Sequence, residues 1–300
     1  MSICIRRGKA ADAEAEACPY SVTVSMLSDQ GCLRAENEDQ ARYSYPQPPY
    51  PQAQGGLLAL VADGMGGHAA GEVASKMAVR TIDHVYYRDA SEPHKALQNA
   101  FSKANRQIYR TARRNSCYQG MGTTCTSLVL RGEMAYCAHV GDSRLYLVRG
   151  EAIYLMTEDH SVVMQMLRQG LITQEQARHH AEKNVLLRAL GTQPRVAVST
   201  WGQPLPIQMD DRFILCTDGL SDLVHEEEMK AVALSEEPGA ACEKLIALAK
   251  AGGGYDNITV GVLHVKAAAT AACPEAVSLQ RVIDRVIDRP MSNVAKERPQ

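Results

Sequence analysis

Outside tyrosine, the 300-residue chain has almost no aromatic side chains: two Phe and Trp201. It also lacks an excess of charge, with 32 Lys+Arg against 34 Asp+Glu and a formal net charge of −2. A nucleic-acid binder displays surplus positive charge, and a single-strand binder needs rings for bases to stack on, so neither class is supported. No apolar run approaches the ~20 residues of a membrane span; "LLALVA" (57–62) is among the longest. The opening "MSICIRRGKAADAEAEAC" has no apolar signal-peptide core. The nine cysteines are odd in number and form no C-x-x-C pair, which argues against a disulfide framework and a zinc ribbon. Thiols in a reducing compartment are expected, hence a cytoplasmic location.

What is present suffices for a sizeable core, since 45% of residues are hydrophobic and 22% charged. Residues 1–19 are polar and Ala/Glu-rich and read as a loose arm. "SVTVSML" (21–27) alternates as a half-buried strand does, and "GLLALVAD" (56–63) reads as a buried one. The proline-rich stretch between them (43–56) can only be a loop. Apolar residues at helical spacing predict helices over 71–87 and 93–114, the second capped by Ser91. Strands are expected at 123–130, 134–140, 144–150, 152–157, 196–201, 212–218 and 258–265, with polar helix over 160–190 and another helix over 238–251. Strands in blocks with helices in pairs predict an α+β fold rather than a doubly wound parallel sheet. In the tail, Leu279, Val282, Ile283, Val286 and Ile287 line one face of an expected helix at 278–289.

Four of these strands begin or end at an aspartate near glycine. They are Asp63 in "VADGMGGHAAGEVAS" (61–75), Asp142 in "AYCAHVGDSR", Asp218 in "FILCTDGLSD" and Asp256 in "GGGYDNITV". An unpaired buried carboxylate is costly. Converging hard oxygen ligands suit Mg²⁺ or Mn²⁺, and glycine lets a backbone carbonyl come close to such an ion. Taken singly, each pair is better read as a common Asp-Gly turn; four together at strand ends weaken that reading.

Taken in order, the motifs resemble those of the metal-dependent protein phosphatases, the PPM or type 2C family. "SDQGCLRAENED" (28–39) looks like the bacterial S-D-x-G-x-x-R-x-x-N-x-D signature; the Asp63 segment follows, then "GMGTTCTSLVL", "AHVGDSRLYLVRG", "MTEDHSVV", "LLRALG", "LCTDGLSDLV" and "GGYDNITV". The resemblance covers residues 21 to 265 and implies a phosphatase domain over 20–266, with a flap about residues 160–190 and a tail over 267–300. It implies a β-sandwich of two antiparallel sheets flanked by pairs of helices, with metals at one end. By matching position, Asp63 bridges two ions, the Gly64 carbonyl ligates one, and Asp218 and Asp256 hold the other. Glu38 holds the first ion's water, with Asp39 behind it. Arg34 matches the phosphate-binding arginine, whose guanidinium grips two oxygens at once. Asp142 and Asp222 match carboxylates that join Asp218 around a third ion; Asp222 equally suits a helix cap. His160 is given a structural role in its turn, and Asn257 is expected to satisfy backbone groups. Relatives read His-Pro in the flap where this chain has His180-Ala181.

The implied activity is hydrolysis of phosphoserine and phosphothreonine on proteins by a water activated between two Mn²⁺ or Mg²⁺ ions. The implied partners are a serine/threonine kinase and its targets. Animal members carry a His after the metal-binding Asp-Gly; here that position is Met65, and the nearest imidazole is His68. Two other classes stand against this reading: a silent member that only binds phosphoproteins, and a metal-dependent nuclease. The first would lack a metal aspartate, and the second needs a basic surface for phosphodiesters.

Overall fold

The computed structural model describes residues 2–4, 20–45, 55–66 and 70–268. Along the chain run β1 (Ser2–Cys4), β2 (Tyr20–Asp29), β3 (Gln40–Ser44), β4 (Leu57–Ala62) and the two-residue β5 (Gly64–Met65), then α1 (Ala70–Tyr86) and α2 (Pro93–Arg114). After a 3₁₀ turn come β6 (Gly122–Thr123), β7 (Cys125–Arg131), β8 (Met134–Val140), β9 (Arg144–Arg149) and β10 (Ala152–Leu155). Short helices α3 (Val162–Arg168) and α4 (Gln174–Arg178) precede β11 (Ser199–Thr200), β12 (Leu205–Pro206) and β13 (Arg212–Cys216). The single turn α5 (Asp218–Ser221), then α6 (Glu226–Ser235), α7 (Pro238–Ala251) and β14 (Ile258–Ala267) complete it.

Two large antiparallel sheets result. One is ordered β1-β2-β14-β13-β9-β10; the other is β11-β8-β7-β4-β3, with β12 also on β8. The uninterrupted apolar run of β4 reflects burial of both its faces. Leu57, Ala59 and Val61 enter the core between the sheets, against Leu128, Leu147, Phe213 and Leu263. Leu58, Leu60 and Ala62 point the other way, against Ala78, Ile82, Leu97 and Phe101 of α1 and α2. On the far side, Ile214, Val260 and Val262 pack under Leu245 and Ala249 of α7 and Met229 of α6. The α+β expectation and the four-layer sandwich both hold.

Several local expectations are corrected. Ser91 does not cap α2: Glu92 occupies the cap with no side-chain bond, and Pro93 opens the helix. The Ser91 N–H is held instead by Asp89 Oδ1 at 2.9 Å. Residues 160–190 are not one helix. Gly170, at φ 69°, follows α3, and a capping box at Thr173 starts α4 afresh. Only Ser199–Thr200 of the strand expected at 196–201 pairs, on β8. Ser2–Cys4, expected in a loose arm, pairs with Ser21–Thr23, satisfying backbone groups at the edge of β2. Residues 5–19, His68 and the helix expected at 278–289 lie outside the described residues. Among the described residues, no helix is long and apolar enough to cross a membrane.

Candidate metal centre

The expected site residues meet at one end of the sandwich. Asp63 leaves β4 with its backbone pinned: its carbonyl accepts from Thr123 Oγ1 at 2.7 Å and Thr124 N–H at 2.9 Å, and its own N–H donates to Thr124 Oγ1 at 2.9 Å. Thr124 Oγ1 in turn meets Ser143 Oγ at 2.5 Å, tying this strand end to the turn that carries Asp142. Asp218 opens α5, and Asp222 lies one turn on, its N–H on the Asp218 carbonyl at 2.8 Å.

Asn257 organises the loop that delivers Arg34 and Glu38. Its Nδ2 donates to the carbonyls of Gln30 and Glu36, each at 2.9 Å, and its Oδ1 accepts the Glu38 N–H at 2.9 Å. Glu38 then meets the start of α1 at Gly71, whose N–H bonds its carboxylate. A Cβ on Gly71 would lie 2.6 Å from Glu38 Oε2, so any larger residue there would displace the Glu38 carboxylate. Likewise a Cβ on Gly64 would fall 2.2 Å from the Gly71 carbonyl.

Charge at this end is crowded. Burial first, then Asp39, Asp218 and Asp142, push the Asp63 carboxyl well above its ordinary range. Asp142 is also raised, by burial and then by Asp218 and Asp159. Burial raises Asp39 to about 7 and Asp218 to about 6, the latter with help from Asp256 and Asp222. Asp63 and Asp218 are close enough to share a proton, which raises the first and lowers the second. Glu38 is raised by burial too.

Do these residues suit a divalent cation? Two buried carboxylate oxygens, Asp39 Oδ1 and Asp218 Oδ1, have no hydrogen-bond partner. Asp39 Oδ2 is held by Thr217 Oγ1 at 2.8 Å, directly behind Asp218. Among the described residues, no three His, Cys, Asp or Glu side chains are grouped as a ready-made ligand set. The carboxylates are instead partly engaged with protein cations. Arg34 Nη2 bonds Asp256 Oδ2 at 2.8 Å, and Lys183 Nζ of the flap bonds Asp222 Oδ2 at 2.6 Å. Hard cations complete their shells with backbone carbonyls and water, so a loose set of all-oxygen donors with unpartnered atoms fits Mg²⁺ or Mn²⁺.

Asp222 caps no following helix; it ends α5, and His225 caps α6. His160 does order its turn: its Nδ1 accepts the Gly141 N–H at 3.1 Å, and its N–H donates to the Gly141 carbonyl at 2.7 Å. The sequence reading missed the threonines that pin Asp63, the contact of Gly71 with Glu38, and the Lys183–Asp222 pair. "GMGTTCT" carried a signal for the first of these; the others join distant segments and leave no local trace.

The crowding predicts a pH dependence for the chelated protein. These aspartates have folded values above their unfolded ones, so the native state holds more protons. Their contribution to stability therefore falls as pH rises through the window from about 4 to about 7 and above. Burial holds His139 down to about 4 and His160 to about 3, so near pH 6.5 only the unfolded chain protonates them; this opposes the trend, but by about 1 kcal/mol in all. Each carboxyl that keeps its proton only in the folded chain changes stability by about 1.4 kcal/mol per pH step of one. Thermal melting in chelator should therefore occur several degrees higher at pH 6.5 than at pH 8. Equal or higher melting at pH 8 would contradict the crowding.

Comparison with known proteins accords with this geometry. The family model for Protein phosphatase 2C matches residues 50–236. A serine/threonine phosphatase, stp, of Listeria innocua is 38% identical over 239 residues, spanning 78% of this chain and 92% of its own. The crystal structure of the Mycobacterium tuberculosis serine/threonine phosphatase PstP/Ppp superposes with a TM-score of 0.72 at 34% identity, over 82% of this chain and 99% of that one. The catalytic domain of PstP in complex with two manganese ions superposes at 0.69 with 33% identity, over 82% and 99%. With the fold, the ordered motifs and the converging carboxylates, these matches make the chain a member of the protein phosphatase 2C family, a serine/threonine protein phosphatase.

Proposed function

We propose that the chain hydrolyses phosphoserine and phosphothreonine on proteins with two divalent ions held between Asp63, Asp218, Asp256, Glu38 and the Gly64 carbonyl. The observation that carries the reading is the buried carboxylate cluster about Asp63, with its orphaned oxygens, facing the Arg34 guanidinium. Ions bound there would acidify water and neutralise phosphoryl charge. Asp39 supports Asp218 through Thr217. A third ion would sit between Asp142, Asp218 and Asp222, where it must compete with Lys183 for Asp222. Mn²⁺ is favoured by the two-manganese relative, and Mg²⁺ suits the same donors.

Arg34 has a double role in this account. Its guanidinium is held by the hydrogen bond to Asp256, with Asp63 and Glu38 adding attraction. Were Asp256 to hold an ion, Arg34 would be free to turn to the phosphoryl oxygens. Arg34→Ala should lower kcat/KM on a phosphopeptide about ten- to a hundredfold, the loss of one charged hydrogen-bonding partner. Mn²⁺ affinity, read by calorimetry, should stay the same or rise. An unchanged kcat/KM would remove Arg34 from the phosphate site.

The natural substrates would be the products of a serine/threonine kinase, in the cytoplasm. With Met65 after Gly64, the leaving alkoxide takes its proton from water rather than from a histidine at that position. Side-by-side assays of a phosphothreonine peptide and DNA with Mn²⁺ test the reading. Peptide hydrolysis alone is expected; cleavage of DNA would favour a nuclease, and binding without turnover a silent member.

A further inference from the structure

The balanced overall charge hides a strong segregation. Helix α2 carries six Lys/Arg and no Asp or Glu. Lys95, Lys103, Arg106, Arg110, Arg113 and Arg114 are all exposed and fall on one helical stripe, roughly 28 Å long at 1.5 Å per residue. Among the described residues, none of them has a carboxylate within ion-pair distance; Arg113 leans on Tyr109 instead. On α1, exposed Arg80 adds positive charge near the seam where Thr81 Oγ1 bonds Gln107 Oε1 at 3.1 Å, while Lys76 is paired with Glu72 at 3.9 Å. Nearby acids are turned to other partners: Glu92 to Arg131, Asp89 to Asn99, Asp83 to Arg42.

The stripe runs toward the end of the sandwich that carries the metal centre. After Arg114, the 3₁₀ turn Ser116–Tyr118 leads into β6, which pairs Gly64↔Thr123 and Met65↔Gly122 beside Asp63. Helix α1, packed on α2, begins at the same place, where Gly71 meets Glu38.

We propose that this face docks an acidic segment of the substrate protein, rich in Asp, Glu or further phosphorylated residues, while a phosphoresidue of the same chain occupies the site. The inference rests on the phosphatase reading and adds the substrate class. Four of the six side chains on the α2 stripe are arginine, the residue best fitted to paired oxygens of carboxylate or phosphate. None of the exposed large apolar residues lies on α1 or α2, so the face has nothing to insert into a bilayer. It has no Trp or exposed Phe on which bases could stack. At about 3.4 Å per extended residue, the stripe accommodates about eight residues of the docked segment.

The test compares a phosphothreonine peptide carrying a short Gly/Ser linker and about eight acidic residues with the same peptide carrying a Gln/Asn tail. The enzymes are the wild-type protein and an Arg106→Glu, Arg110→Glu, Arg114→Glu variant, with p-nitrophenyl phosphate to monitor the site itself. At low salt the wild type should show a roughly tenfold lower KM for the acidic tail, from several exposed charge pairs acting together. That preference should vanish at high salt and in the variant, while hydrolysis of p-nitrophenyl phosphate stays unchanged. A milder Gln variant at the same positions should fall between them. No preference in the wild type, or one that survives charge reversal, would overturn the proposal. So would variant-sensitive binding to anionic vesicles or duplex DNA with no change in peptide KM. Were the wild type to hydrolyse nothing, the phosphatase reading would fail, yet anisotropy of a labelled acidic tail would still decide the docking face: binding lost in the variant supports it, and no binding overturns it.

Discussion

Replacing Asp63 by Asn should lower kcat on a phosphothreonine peptide by roughly a thousandfold or more, about 4 kcal/mol of transition-state stabilisation. Asp63 stands amid Asp39, Asp142 and Asp218, and burial with their repulsion raises its pKa. An amide keeps the shape of the carboxylate and loses the charge, so it cannot serve two cations at once. The fold should survive, because the bonds that hold this strand end come from the Asp63 backbone to Thr123 and Thr124. Removing one charge from a crowded cluster should even leave the chelated variant melting at or above the wild type. Steady-state kinetics with a melting curve separates the two effects. A variant with wild-type kcat would remove Asp63 from the bridging role.

Chelation should abolish hydrolysis outright, and Mn²⁺ or Mg²⁺ should restore it. Asp63, Asp142 and Asp218 repel one another, and the positive charge around them comes from side chains such as Arg34 and Lys183. Those ammonium and guanidinium groups neutralise carboxylates without acidifying water, so the chelated protein keeps its fold and lacks its chemistry. Added metal should also raise the melting temperature, since an ion that binds only the folded state stabilises it by mass action. Full turnover in excess chelator would contradict a metal mechanism.

Much of this was legible in the sequence, for identifiable reasons. The limits of α2 and α7 follow from their apolar spacing and from prolines at their starts, and β4 from an apolar run with both faces covered. Asp63, Asp218 and Asp256 were readable because each follows or precedes a strand beside glycine, and because the motifs occur in order. The flap was not, since its residues are mostly exposed and its helix ends are set by Gly170 and Thr173 rather than by periodicity. Helix α6 went unnoticed beneath its run Glu226, Glu227 and Glu228, with only Met229, Val232 and Ala233 buried. The pairing of Arg34 with Asp256 joins residues 222 positions apart, and no local pattern announces such a contact. The basic stripe of α2 was hidden by a net charge that averages over the whole chain.

How many ions the centre holds, and whether they share Asp63, decides the mechanism. Calorimetric titration of chelated protein with Mn²⁺ measures both, for the wild type and for Asp63→Asn. Two tightly held ions per wild-type chain are expected, apart from any weaker third, with the variant losing at least one of the two and binding the remainder more weakly. Identical stoichiometry and affinity in the two proteins would contradict the shared-carboxylate centre.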